Sequence, residues 1–127
     1  MTAEVLAFLS AHPGRIAIFE AFASAVDALG ESQMAVTKSQ ISWGNPKKFA
    51  FLSLPLRAGK GWPPEGLIFT FGLGFRLDHP RVFQAVEPYP GRWTHHVVLG
   101  CPGDVDGDVE GFLAQSYEFS LHKRRRK

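Results

Sequence analysis

Cysteine is almost missing from this chain: Cys101 is the only one in 127 residues. No internal disulfide can form, so packing must hold the fold, and the lone thiol suits a reducing, cytoplasmic setting. Long apolar runs are missing too. None approaches the ~18–20 residues of a membrane span, so no membrane contact is expected. The opening MTAEVLAFLSAHPGR carries an acid and no basic region, unlike a signal peptide. Metal-ligand spacing is absent: His12, His79, His95, His96, His122 and Cys101 form neither an H-x₃₋₅-H nor a C-x₂-C pattern. Phe71-Gly72-Leu73-Gly74-Phe75 lacks the third glycine and following helix of a dinucleotide site. Gly59-Lys60-Gly61 has no Ser or Thr after its lysine, so it is not a phosphate-cradling loop. Metals and cofactors are therefore not expected.

An excess of either charge is lacking once the chain's end is set apart. Of 14 basic residues against 12 acidic, five are Lys123, Arg124, Arg125, Arg126 and Lys127. The nine others leave a body of formal charge −3, without the distributed basic face of a nucleic-acid-binding domain. Residues 123–127 read as a basic disordered tail, good for weak, salt-dependent nucleic-acid contact. Residues 1–122 read as a single α+β domain, long enough for one core and free of linkers or repeats.

What is present is a series of patterned segments. Ala3 to about Ala11 is predicted as a short helix capped by Thr2. His12-Pro13-Gly14 breaks it. From Arg15 to Leu29, apolar residues Ile16, Phe19, Phe22, Ala23, Val26 and Leu29 recur at helical steps, and Gly30 suits the position after the helix end. Gln33–Trp43 is predicted as one strand, with Met34, Val36, Lys38 and Gln40 on one face. Phe49–Leu56 follows as its hairpin partner after the turn at Gly44–Lys47. Leu67–Phe75 is a third strand, in which Gly72 and Gly74 leave a trough on one face. Arg81–Val86 is predicted as a short helix. A final helix runs from Val105 or Asp106 to Leu121, and Asp104, Asp106, Asp108 and Glu110 favour its positive end. A calcium loop counted from Asp106 fails, because Tyr117 stands where a bidentate Glu is needed. The expected fold is α+β: a mostly antiparallel sheet of four or more strands packed against N-terminal and C-terminal helices. The helices cover one face, leaving the other as a pocket or a homodimer surface.

The segment Glu87–Gly100, EPYPGRWTHHVVLG, organises the rest. Pro88, Pro90 and Gly91 make a turn, and Trp93–Leu99 is strongly strand-forming. Strand alternation sets Trp93, His95, Val97 and Leu99 on one face and Thr94, His96 and Val98 on the other. The two histidines therefore face apart. Polar Lys38, Ser39 and Gln40 interrupt an otherwise apolar strand and are natural partners for one of them. With Trp43, Trp93, Thr94, His95 and His96 they form the candidate ligand-binding set. Lysine beside imidazole suits a small anionic ligand. A structural role is the competing reading: Lys38 snorkels while His and Gln satisfy each other. Ser39 as a hydrolase nucleophile lacks the G-x-S-x-G turn.

The segments V-T-K-S-Q-I-S-W at Val36–Trp43, F-A-F-L-S-L-P at Phe49–Pro55 and E-P-Y-P-G-R-W-T-H-H-V-V-L at Glu87–Leu99 resemble the bacterial domain of unknown function family 5655. The resemblance implies a small stand-alone or fused domain, with Lys38, Ser39, Gln40, His95 and His96 at the family's patterned positions. It implies no activity. The expectation is a small ligand- or partner-binding domain. The alternatives are an enzyme using a histidine as general acid or base, or a nucleic-acid accessory protein acting through its tail.

Overall fold

The computed structural model describes residues 3–9, 14–37, 40–45, 47–54 and 66–123. Lys38, Ser39 and Arg124–Lys127 lie outside them. The elements are α1 (Ala3–Leu9), α2 (Gly14–Asp27), β1 (Gln33–Val36), β2 (Gln40–Gly44), β3 (Lys48–Ser53), β4 (Leu67–Leu73), β5 (Val82–Tyr89), β6 (Arg92–Leu99) and α3 (Gly107–Lys123). The strands form one sheet in the order β1-β2-β3-β4-β6-β5, and every adjacent pair is antiparallel. The fold is α+β, with helices from both ends of the chain.

Helices α1, α2 and α3 each contribute buried apolar side chains to one cluster shared with one face of the sheet. Val5 and Leu9 of α1, Ile18, Phe19, Phe22 and Val26 of α2, and Val109, Phe112 and Leu113 of α3 share one cluster with Ile41, Trp43, Leu52, Phe69, Phe71, Val97 and Leu99. The spacing of three and four in α2 and α3 puts these residues on one side of each helix. Alternation along the strands does the same for the sheet. Phe22 lies against Trp43 (ring centroids 5.2 Å) and edge-on to Phe69 (4.9 Å). Such aromatic pairs add ~0.5–1.5 kcal/mol each beyond the burial of their area.

Three expectations are corrected. Gln33–Trp43 is two strands, not one. Val36 pairs with Ile41, and the chain turns through Thr37–Gln40. Thr37 closes that turn: its N–H donates to the Gln40 carbonyl (2.9 Å), and its hydroxyl lies 3.2 Å from the Gln40 N–H. A side-chain hydroxyl can hold a turn that lacks Gly, Pro and Asn, which is why none was visible. As a result Met34 and Val36 share a face with Trp43 and Ile41, not with Gln40. Second, the segment read as a helix at Arg81–Val86 is edge strand β5, paired along β6. Six residues are too few for periodicity to separate the two, and pairing along β6 decides. Third, Gly72 and Gly74 do not make a common trough. Arg92 lies over Gly72, whereas the α3 residue Phe119 lies over Gly74, which is already past the end of β4.

Candidate functional site

The register places a single lateral row on the face away from the helices. Ser42 pairs with Phe51, Phe51 with Thr70, Thr70 with His96, and His96 with Gln84. Five strands thus each contribute one residue, and four of the five are polar. Ser42 and the neighbouring Ile68 are buried, Phe51, Thr70 and His96 are half-buried, and Gln84 is exposed.

Hydrogen bonds organise this row. Thr70 Oγ1 and His96 Nδ1 are 2.9 Å apart, and the Phe83 ring lies tilted against the imidazole at 6.1 Å. Lys48 Nζ donates to Ser42 Oγ (3.0 Å). Burial pushes the His96 pKa below its usual 6.5, so the neutral ring prevails near pH 7. A neutral ring bonded at Nδ1 retains Nε2 for a further partner, as donor or acceptor according to tautomer. Arg92 and Thr94 point to the same face by strand alternation, four and two residues before His96. Arg92 is half-buried, and its guanidinium makes no hydrogen bond or ion pair among the described residues.

His95 has the opposite environment. It is fully buried on the helix-covered face and stacks on Phe71 (4.9 Å), which in turn stacks on Phe112 (5.1 Å). The Leu77 N–H donates to His95 Nε2 (2.9 Å). A neutral ring that accepts at Nε2 carries its proton on Nδ1, and Nδ1 has no hydrogen-bond partner among the described residues. Desolvation lowers the His95 pKa. The nearby Phe71 carbonyl opposes this without completing a well-formed hydrogen bond, and His96 and Arg76 add to the depression. His95 is thus a core residue that ties down the connection from β4 to β5.

Of the eight residues expected to share a site, the six that are described divide between the two faces. Trp43 is a core residue, packed between Phe19 and Phe22. Trp93, half-buried, pairs with Leu73 in line with His95 on the helix side. Gln40, Thr94 and His96 belong to the second face. Lys38 and Ser39 lie outside the described residues. Alternation did separate His95 from His96. Missed were Thr70, Ser42, Gln84, Lys48 and Arg92. Arg92 was within reach, since counting back two steps from Thr94 on the same strand finds it. Thr70 was not, because β4 and β6 are not consecutive and their register cannot be read from either alone.

Two concavities lie away from this row. One, of about 450 Å³, opens past the end of α2 between Asp27, Glu31 and Asn45. The other, of about 610 Å³, runs between the end of β4 and α3, beside Leu73, Phe75 and Phe119. Of the acids that suggested calcium, Asp104 accepts from the Gly100 N–H (2.8 Å) and Asp106 serves the start of α3. Asp106 Oδ1 accepts from the Asp108 and Val109 N–H groups (3.1 and 3.3 Å), and its carboxylate pairs with Arg81 at 2.9 Å. No cluster able to hold a metal ion occurs among the described residues. No helix among them is long and apolar enough to cross a membrane.

Fold and site together define an α+β sandwich of three helices on one face of a six-stranded antiparallel sheet, with a polar row on the other face. The family can be stated directly. The chain belongs to the one described as Domain of unknown function (DUF5655), whose pattern matches residues 7–120. No curated protein and no solved structure gives a match.

Proposed function

We propose that this chain is a small-ligand-binding domain, with its site on the second face around the Thr70–His96 pair. The observation that carries this reading is the cross-strand row itself. A merely solvated polar face would leave these groups exposed, whereas Ser42 is buried and Thr70 and His96 are half-buried and 2.9 Å from each other. A half-buried imidazole with one nitrogen engaged and the other uncommitted is a recognition group that adjacent strands hold in place. Gln40, at the start of β2, and Thr94 border the row. The reading retains the Gln and His of the cluster expected from sequence, while Lys48 supplies a cation bonded to Ser42.

The test is a thermal-shift screen of small anions and neutral polar molecules, read on wild type, His96→Ala and Thr70→Val. Compounds that stabilise wild type should lose their effect in both variants. A stabilising compound whose shift survives both changes would place the site elsewhere. An enzymatic reading rests on the same 2.9 Å contact, since a neutral imidazole can take a proton from a hydroxyl. It requires turnover of some substrate by wild type and none by His96→Ala.

A further inference from the structure

We propose that Arg92, seated on the bare backbone of Gly72, is the anion-recognising group of this face, and that the ligand carries a carboxylate or phosphate. The inference rests on reading the second face as the ligand site, and names the chemistry which that site selects.

The seat follows from register. Gly72 pairs with Thr94 and Thr70 with His96, so Gly72 and Thr70 are successive positions on one face of β4. Arg92 is the diagonal neighbour of Gly72, within reach of a long side chain. A Cβ on Gly72 would meet Arg92 Cζ and Nη2 at 2.5 Å and Nε at 2.7 Å. Three atoms of the planar group at nearly equal distance from one point mean that the guanidinium lies over the glycine. Any side chain at position 72 would occupy that space.

The group so placed lacks an acceptor among the described residues. Glu87, the acid nearest to it in sequence, accepts from the Gly91 N–H instead (3.2 Å). A guanidinium has five N–H donors in a rigid fork, and here they reach the surface with no protein acceptor among the described residues. That fork matches the two oxygens of a carboxylate or phosphate. The Thr94 hydroxyl and the His96 ring follow on the same face at two-residue steps of ~6.8 Å. One anionic group on Arg92 therefore leaves the rest of a small molecule to run along Thr94 towards His96 and Thr70.

Glycine at 72 offers a test that leaves every charge in place. In Gly72→Ala the three atoms nearest the methyl all belong to the flexible end of Arg92, so the chain should fold while the guanidinium is displaced. Titrations of ¹⁵N-labelled protein with inorganic phosphate and with acetate would be followed at Arg92 Nε–H and at the Thr94 and His96 amides. Saturable shifts are expected in wild type. Gly72→Ala, Arg92→Gln and Arg92→Lys should each weaken binding by at least about tenfold, the lysine because it lacks the fork. Wild-type affinity in Gly72→Ala overturns the seat. No saturable shift with either anion overturns the inference. In that case, neutral molecules that still act through His96 would leave the broader reading of the face standing, and their absence would remove it as well.

Discussion

Changing Gly30 to alanine probes the junction between α2 and α3 and gives a result that can be worked out beforehand. Gly30 has φ of 140°, a backbone conformation that side chains other than glycine rarely adopt. Holding alanine there costs about 1–3 kcal/mol. Its Cβ would also lie 2.7 Å from the Tyr117 hydroxyl oxygen. That hydroxyl donates to the Glu31 carbonyl (3.2 Å) and accepts from Asn45 Nδ2 (3.3 Å). Displacing it breaks both bonds, at about 0.5–1.5 kcal/mol each. Gly30→Ala should therefore cost roughly 2–6 kcal/mol, and Tyr117→Phe roughly 1–3. In the double variant the oxygen is gone and the ring carbon that bore it lies 3.4 Å from the new methyl, close to ordinary contact. The hydrogen bonds are then lost once, not twice. The two substitutions should couple by about 1–3 kcal/mol, the double variant being more stable than the sum of the singles implies. Urea unfolding followed by tryptophan fluorescence measures this, because Trp43 is buried at 3% exposure. Costs that simply add, within about 0.5 kcal/mol, would refute the account of what the methyl meets.

The other predictions concern titration. Burial holds both His95 and His96 below their usual pKa of 6.5, so between that value and the folded pKa the unfolded chain binds more protons. Stability should accordingly be level at high pH and fall as pH drops below about 6.5, and the urea midpoint at about pH 5 should be lower than at about pH 8. An unchanged midpoint would contradict the buried neutral rings. Asp106→Ala removes the acceptor for two amides at the start of α3 and should cost ~0.5–2 kcal/mol near pH 7. Desolvation pushes the Asp106 carboxyl up, but the Val109 amide and then Arg81 more than reverse this and leave it below 3.8. Its contribution is present above about pH 4 and fades as pH falls through the lowered value, so thermal melts of variant and wild type should converge in acid.

Much of this architecture was legible before any coordinates. Apolar spacing through Phe19, Phe22 and Val26 and through Val109, Phe112 and Leu113 gave two helices in which those residues are buried, whereas Ile16, Ala23 and Leu29 are only partly buried and Ile18 takes a core place instead. Alternation in Trp93–Leu99 divided the histidines between the two faces. What failed was punctuation. A threonine-bonded turn at Thr37–Gln40 carries no glycine or proline, so one long strand was read across two. Val82–Val86 pairs only because β6 is beside it, information that no local window contains. The site was legible in part. His96 and Thr94 stood on the right face, whereas Trp43 went to the core because an indole beside Phe19 and Phe22 buries more area there. Arg92 over Gly72 escaped notice because it depends on a register between strands separated by β5.

That separation bears on how the molecule opens. Strands β1 to β4 meet in sequence order, each folding back on the one before. The partner of β4 is instead β6, which must arrive from beyond β5, with Leu67 finding Leu99. The innermost pair of this joint, Leu73 with Trp93, is 20 residues apart in sequence, against 15 for Ser53 with Ile68 at the β3–β4 joint. The Leu77–His95 bond fastens the strap that crosses from β4 to β5. Under native conditions, amides on the β4–β6 seam should exchange together, as one door that swings on residues 74–81, while the meander behind it stays shut.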